Sequence, residues 1–226
     1  VITARLLQQL PLSRRKRLIE KAQRSDAIII EDDYEFEMSF LQPALPALKS
    51  LDNDGRVIYV GSFSKSLFPG MRLGYLVGPA PFIKEARALR ASVLRHPPGH
   101  IQRTAAYFLS LGHYDALIKR MSKHYEERYL EMEKSLTKCE LKIAGKAQHG
   151  GSSFWVQIPK HISSIKLADD LLKKDVVIEP GDPFFVGNNY SKNFIRLAYS
   201  SIPVERIDPG IELIAKAISD TGLMAV

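Results

Sequence analysis

Gly61-Ser62-Phe63-Ser64-Lys65-Ser66-Leu67-Phe68-Pro69-Gly70-Met71-Arg72-Leu73-Gly74-Tyr75 is the stretch whose reading decides the fold. The residues before it, Arg56-Val57-Ile58-Tyr59-Val60, form a short β-branched run behind Asp54-Gly55, and this pattern predicts a buried strand. Lys65 therefore falls just past a strand end. In an open α/β sheet that is the crevice where ligands collect. A lysine amine beside another cation gives up its proton more readily, and a neutral amine condenses with an aldehyde. Arg72 is such a neighbour in the sequence. Guanidinium also grips a phosphate through two parallel hydrogen bonds, and Ser62 and Ser64 add hydroxyl donors. Gly61, Gly70 and Gly74 let the backbone bend and approach a ligand. Taken alone, a Ser-x-Ser-Lys turn equally describes a solvated surface lysine.

Two further segments bear on it. Ala27-Ile28-Ile29-Ile30-Glu31 predicts a second short strand, ending in Asp32-Asp33-Tyr34-Glu35. The two strands deliver a carboxylate and a phenol at one end, and a lysine, serines and an arginine at the corresponding end. In isolation, Asp32 and Asp33 read equally well as turn residues. Near the C-terminus, Phe194-Ile195-Arg196-Leu197-Ala198-Tyr199-Ser200 predicts a strand with an arginine in its interior, which is costly unless the charge is paired. A bidentate carboxylate contact and a structural salt bridge both satisfy that requirement.

Together these motifs resemble the fold-type I aminotransferases, and most of all the aminotransferase-like domain of the MocR group of GntR-type bacterial transcription regulators. The resemblance implies a pyridoxal phosphate (PLP) cofactor held as a Schiff base on Lys65. Ser62, Ser64 and Arg72 match the phosphate ligands. Asp32, with Asp33 as the alternative, matches the aspartate that keeps the pyridine nitrogen protonated, so that the ring serves as an electron sink. Tyr34 matches the phenol that meets the ring oxygen, and Arg196 the arginine that binds a substrate carboxylate. The Pro180-Gly181-Asp182-Pro183-Phe184-Phe185 loop resembles the family's active-site rim, where Phe184 and Phe185 either wall a pocket or pack beneath the loop. A homodimer and a small amino acid or amine ligand are implied in the same way.

Composition fits an ordinary globular chain. Of 226 residues, 45% are apolar and 25% charged, which permits a sizeable core. No stretch approaches the roughly 18 apolar residues of a membrane span. The start, Val1-Ile2-Thr3-Ala4-Arg5, does not read as a secretory signal. Cys139 is the single cysteine, so an intrachain disulfide is excluded and a cytoplasmic setting is expected. His96 and His100 are separated by Pro97-Pro98-Gly99, which breaks the helical face a metal pair needs, so no metal site is expected. The net charge of +7 has its densest run at Arg14-Arg15-Lys16-Arg17. There Ser13 caps a helix with Leu18, Ile19 and Ala22 inward and the basic residues in solvent. No compact DNA-reading module is recognisable, so DNA binding is expected only through a separate domain.

The expected fold is α/β: part of a PLP-transferase large domain, an open and mostly parallel sheet with helices, followed by a small C-terminal α+β domain. Residues 1–112 are assigned to the large domain and 113–137 to a long connecting helix with Leu117, Met121, Tyr125, Tyr129, Met132 and Leu136 along one side. Residues 138–226 form the small domain, with strands at 153–158, 176–179 and 194–200. A helix after Pro79-Ala80-Pro81 is expected to bury Phe82, Ala86, Leu89 and Val93. Relatives place a glycine-containing phosphate loop and a ring-stacking aromatic well before the Asp32 motif, so the chain is expected to be a fragment of a longer polypeptide. Two functions fit the resemblance: the effector-sensing domain of a MocR-type regulator, or a free-standing transaminase of the aminoadipate or aromatic type using a 2-oxo acid co-substrate.

Overall fold

The computed structural model describes residues 2–3, 8–33, 36–145, 149–185 and 193–223. The chain divides into two compact units, one formed by Gln9–Glu37 and Pro43–Met121 and the other chiefly by Met38–Gln42 and Ser122–Val226.

The first unit is built on a three-stranded sheet. Its strands are β1 (Ile29–Asp32), β2 (Val57–Ser62) and β3 (Gly74–Val77), in the order β1-β2-β3. β1 and β2 are parallel, with Ile29 opposite Val57 and Asp32 opposite Val60. β2 and β3 are antiparallel, with Gly61 opposite Tyr75 and Ser62 opposite Gly74. The sheet is therefore mixed. Residues 33–56 are long enough for a crossover, whereas residues 63–73 only reverse the chain.

Helix α1 (Leu12–Arg24) lies against this sheet. It starts at Pro11, whose φ of −56° suits a helix entry and whose carbonyl accepts the Arg15 N–H at 3.0 Å. The expected Ser13 cap is thus displaced, and Ser13 sits inside the first turn. Ile19 and Ala22 are buried as expected, whereas Leu18, also expected inward, is exposed; Ile19 joins Leu48 and Val57 in a small core flanked by Ile29 and Leu51. Arg15 is buried too, contrary to the expectation that the whole basic run faces solvent. Its Nε donates to the Leu10 carbonyl at 2.9 Å, and Nη1 reaches the Pro46 carbonyl and stands 4.0 Å from the Glu31 carboxylate. Glu31, fully buried inside β1, also accepts the Leu48 and Lys49 N–H groups at 2.7 and 2.9 Å. A buried carboxylate is tolerable on these terms, with a cation and two amides around it.

Helices α2 (Ala80–Leu94), α3 (Gly99–Ser110) and α4 (His113–Lys138) follow. The apolar stripe expected to be buried on α2 is not: no residue of α2 is buried, and Leu89 and Val93 are 68% and 70% exposed. Periodicity marks a face that needs cover, but it does not supply the cover.

The second unit has a four-stranded antiparallel sheet of β4 (Lys142–Gly145), β5 (Ser153–Gln157), β6 (Glu179–Pro180) and β7 (Phe194–Ala198), in the order β4-β5-β7-β6. The strand expected at 176–179 is observed only as β6 at 179–180: the Val176 N–H is taken by the Leu171 carbonyl at the end of α5, and Val177 is exposed, so pairing with β7 begins at Glu179. Alternation sorts the faces. Phe154, Val156, Ile195 and Leu197 point to a core shared with Tyr129, Met132 and Leu136 of α4 and with Leu167 and Leu171 of helix α5 (Ser164–Leu172). Ile207, Ile211, Ile214 and Ile218 complete it, spaced by four, three and four along helix α6 (Ile207–Leu223). Tyr199, fully buried, donates its hydroxyl to the Gly151 carbonyl at 2.5 Å.

Candidate functional site

The site residues fall into two groups, one on each unit. In the first, Asp32 and Ser62 are the last residues of neighbouring strands, and the turn after β2 carries Ser64 and Lys65. Along β1 the side chains alternate: Glu31 is buried toward α1, while Ile28, Ile30 and Asp32 are exposed on the opposite face. Asp33 lies past the strand end, where its N–H donates to the Val60 carbonyl at 3.0 Å. Its carboxylate accepts the Tyr59 hydroxyl at 3.3 Å. Burial pushes the Asp33 carboxyl above its ordinary value, with the Glu31 charge adding to that and the Tyr59 hydrogen bond opposing it. Burial and the facing Asp33 carboxylate likewise raise the Tyr59 phenol. The two neighbouring aspartates thus have different employment: Asp33 is committed to Tyr59, whereas Asp32 has no side-chain partner among the described residues. Tyr34 lies outside the described residues.

The Lys65 turn is shaped by its own backbone. Phe63 N–H donates to the Leu73 carbonyl at 3.1 Å, and Leu67 N–H to the Phe63 carbonyl at 2.8 Å. The Ser62 hydroxyl oxygen accepts the Ser64 N–H at 3.2 Å, which leaves its own O–H free to donate outward. Lys65 and Arg72 are exposed, and neither side chain has a hydrogen-bond or ion-pair partner among the described residues. Arg72 adopts left-handed backbone angles, φ 49° and ψ 40°, between the turn Pro69–Met71 and β3. A non-glycine residue there is uncommon and costs roughly 1 kcal/mol. Two uncompensated cations, a free hydroxyl donor and an open carboxylate around adjacent strand ends suit an anionic ligand with a basic ring nitrogen, which is the donor set PLP requires.

Aromatic side chains brace this group, and they are the part that motif reading missed. Tyr75 lies across Gly61, its ring 6.0 Å from Tyr59 and 5.5 Å from Phe63 between centroids. Phe63 in turn meets Tyr114 edge-on at 6.0 Å, and the Tyr114 hydroxyl donates to Glu37. Burial, reinforced by that carboxylate, raises the Tyr114 phenol. The available signal was a glycine in a strand interior, which commonly marks a close approach by another group.

Arg196 belongs to the second unit, in the middle of β7, opposite Trp155 of β5. Its Nε donates to the Ser153 hydroxyl at 3.0 Å and Nη1 to the Glu179 carboxylate at 2.8 Å, and its guanidinium carbon lies 5.7 Å from the Phe184 ring centre. The salt bridge that interior arginines require is present. Glu179 is 47% exposed, so the pairing is exchangeable with another carboxylate. Phe184 packs edge-on against Trp155 at 5.5 Å, Phe185 lies 6.0 Å from Trp155, and Phe194 stacks on Trp155 at 5.7 Å. The loop aromatics therefore pack on the face of the sheet that carries Arg196.

Residues 9–214 match the family described as aminotransferase class I and II. The chain is 57% identical over 209 residues to the HTH-type transcriptional regulator TauR of Rhodobacter capsulatus, covering 92% of this chain and 43% of that protein. It is 30% identical over 220 residues to the 2-aminoadipate transaminase of Thermus thermophilus, covering 96% and 54%. Among solved structures, the kynurenine aminotransferase of Pyrococcus horikoshii, crystallised with PMP, superposes with a TM-score of 0.86 at 31% identity, over 94% of this chain and 53% of that one. The chain thus spans about half the length of the curated relatives it matches. Strand ends bearing Asp32 and Lys65, an arginine inside the small sheet and a family match over nearly the whole length agree: the chain belongs to the fold-type I, class I and II aminotransferases.

Proposed function

We propose that this chain is the PLP-holding, ligand-sensing portion of a MocR/GntR-type transcription regulator, whose DNA-reading domain lies elsewhere in a longer polypeptide. The observation that carries this reading is the 57% identity to the regulator TauR over 92% of the chain, against 30% to the transaminase of Thermus thermophilus. Lys65 Nζ is the point of covalent attachment. Ser62, Ser64 and Arg72 hold the phosphate, and Tyr34 meets the ring oxygen. Asp32 keeps a proton on the ring nitrogen; its freedom from other partners supports it over Asp33. PLP, when bound, supplies an electron-withdrawing ring beside the incoming amine. Arg196 binds a ligand carboxylate in place of Glu179. With PLP bound, Lys65 Nζ would both hold the cofactor and serve as the base for the proton on the amine-bearing carbon. The working assembly is a cytoplasmic homodimer.

The test uses the full-length polypeptide. It should show the visible absorption of a PLP–lysine linkage, lost in Lys65→Ala. Arg196→Ala should keep that absorption while weakening an amino acid ligand at least about tenfold, the scale of one charge-assisted contact. A Lys65→Ala protein that retains the covalent chromophore overturns the assignment. Sustained transamination with a 2-oxo acid, and no response of DNA binding to the amine, moves the reading to a free-standing transaminase.

A further inference from the structure

The basic run near the start of the chain is resolved by the structure into two populations. Arg15 turns inward to the Leu10 and Pro46 carbonyls and Glu31. Arg14, Arg17, Lys21 and Arg24 stay exposed and line one shallow groove with Leu10 and Leu18. Their spacing of three, four and three residues places them along a single face of α1. At 1.5 Å of rise per residue the row is about 15 Å long. None of the four has an ion-pair partner among the described residues. Unpaired cations also occur elsewhere in the chain, Lys65 and Arg72 among them, but the α1 group is set apart by lining one groove on one helix face. Like charges three and four apart weaken a helix, so the row works against its own element. The helix tolerates this because Arg15, Ile19 and Ala22 clamp its opposite side. Glu20 lies beside Arg17 and Arg24 on the helix but pairs with neither, so the four cations, held at fixed spacing on a rigid element, keep a net positive charge that complements a regular row of anions.

We propose that this face of α1 is a second DNA-contact surface, which grips the phosphate backbone of duplex DNA while sequence is read elsewhere in the polypeptide. The inference rests on the regulator reading above. Duplex DNA of the same length as the row carries about nine phosphates, ample for four contacts. The face consists of arginines, a lysine and leucines in a row along the helix axis, and its contacts are assigned to phosphates, which position the duplex and carry no sequence information.

The full-length polypeptide is titrated with a labelled duplex spanning the intergenic region beside its own gene, at several salt concentrations. The variant Arg14→Gln/Arg17→Gln/Lys21→Gln/Arg24→Gln should lower the steepness of log K against log salt by about 3 to 4, and weaken binding at 0.1 M salt at least about 100-fold. Its PLP absorption should be unchanged, which certifies the fold. A control with equal charge loss, Lys142→Gln/Lys160→Gln/Lys166→Gln/Lys174→Gln, should leave the slope in place. An unchanged slope in the α1 variant, or an equal loss in the control, overturns the proposal and leaves the regulator reading standing. Failure of the wild-type protein to bind any duplex overturns both.

Discussion

A Cβ added at Gly61 would lie 2.2 Å from Cζ of Tyr75, so the ring must leave if the residue becomes alanine. That departure also removes the Tyr75 contacts with Tyr59 and Phe63, on the turn that carries Lys65. We expect Gly61→Ala to cost about 1–2 kcal/mol in urea unfolding, as other overpacked sites do. On a Tyr75→Ala background the same change should cost less than about 0.5 kcal/mol, and additive losses in the double-mutant cycle would show that the two residues are not coupled. At this scale the sequence exposes chemistry better than support. Lys65, Ser62 and Asp32 are recognisable because residue type and position past a strand end are local properties. The pairing of Asp33 with Tyr59, and of Glu31 with Arg15, joins residues 26 and 16 positions apart on different elements, which no local pattern encodes.

Among the elements, β2 owes its starting point to Asp52. The Asp52 carboxylate, its side chain fully buried, accepts the Val57 N–H at 2.9 Å and the Arg56 N–H at 3.0 Å, and it takes a 2.8 Å ion pair from Lys49. Burial alone would raise its pKa, but the Lys49 hydrogen bond and the two amides outweigh it and bring the value down to about 2. A carboxylate depressed in the folded state contributes its stability above the unfolded value near 4 and loses it as pH falls through about 2. Asp52→Asn should therefore lower stability by about 1–2 kcal/mol at pH 7, and the gap to the wild type should close between about pH 4 and pH 2. A gap independent of pH would assign the loss to shape and not to charge. The helices and strands themselves were largely readable, since α4 and α6 carry long apolar stripes and β5 a compact aromatic run. The ends were less so: Pro11 opens α1 in place of Ser13, and the strand expected from Val176 begins only at Glu179.

For the molecule as a whole, the two units differ in how much they bury. Among the described residues the second unit gathers eighteen buried side chains in one core, while the core around Ile19, Leu48 and Val57 in the first has three. Opening free energy follows buried apolar contact, so the two units should not open together. Hydrogen exchange should find the amides of Phe154, Val156 and Ile195 protected at least about 100-fold more than those of Ile29 and Asp33, which are hydrogen-bonded to the Arg56 and Val60 carbonyls. Equal protection would mean that the chain opens as one cooperative body. The family was legible from motifs spread over both units, whereas the exposure of the α2 stripe was not, because periodicity records a need for burial and the three-dimensional neighbours decide whether it is met. One further consequence follows from the packing around Arg196. Trp155 is the chain's single tryptophan, 2% exposed, covered by Phe184 and Phe194 and paired in register with Arg196. Its fluorescence is therefore a built-in optical probe of the role proposed for Arg196: a carboxylate that displaces Glu179 from the guanidinium should shift the emission of one indole, independently of any colour from the cofactor.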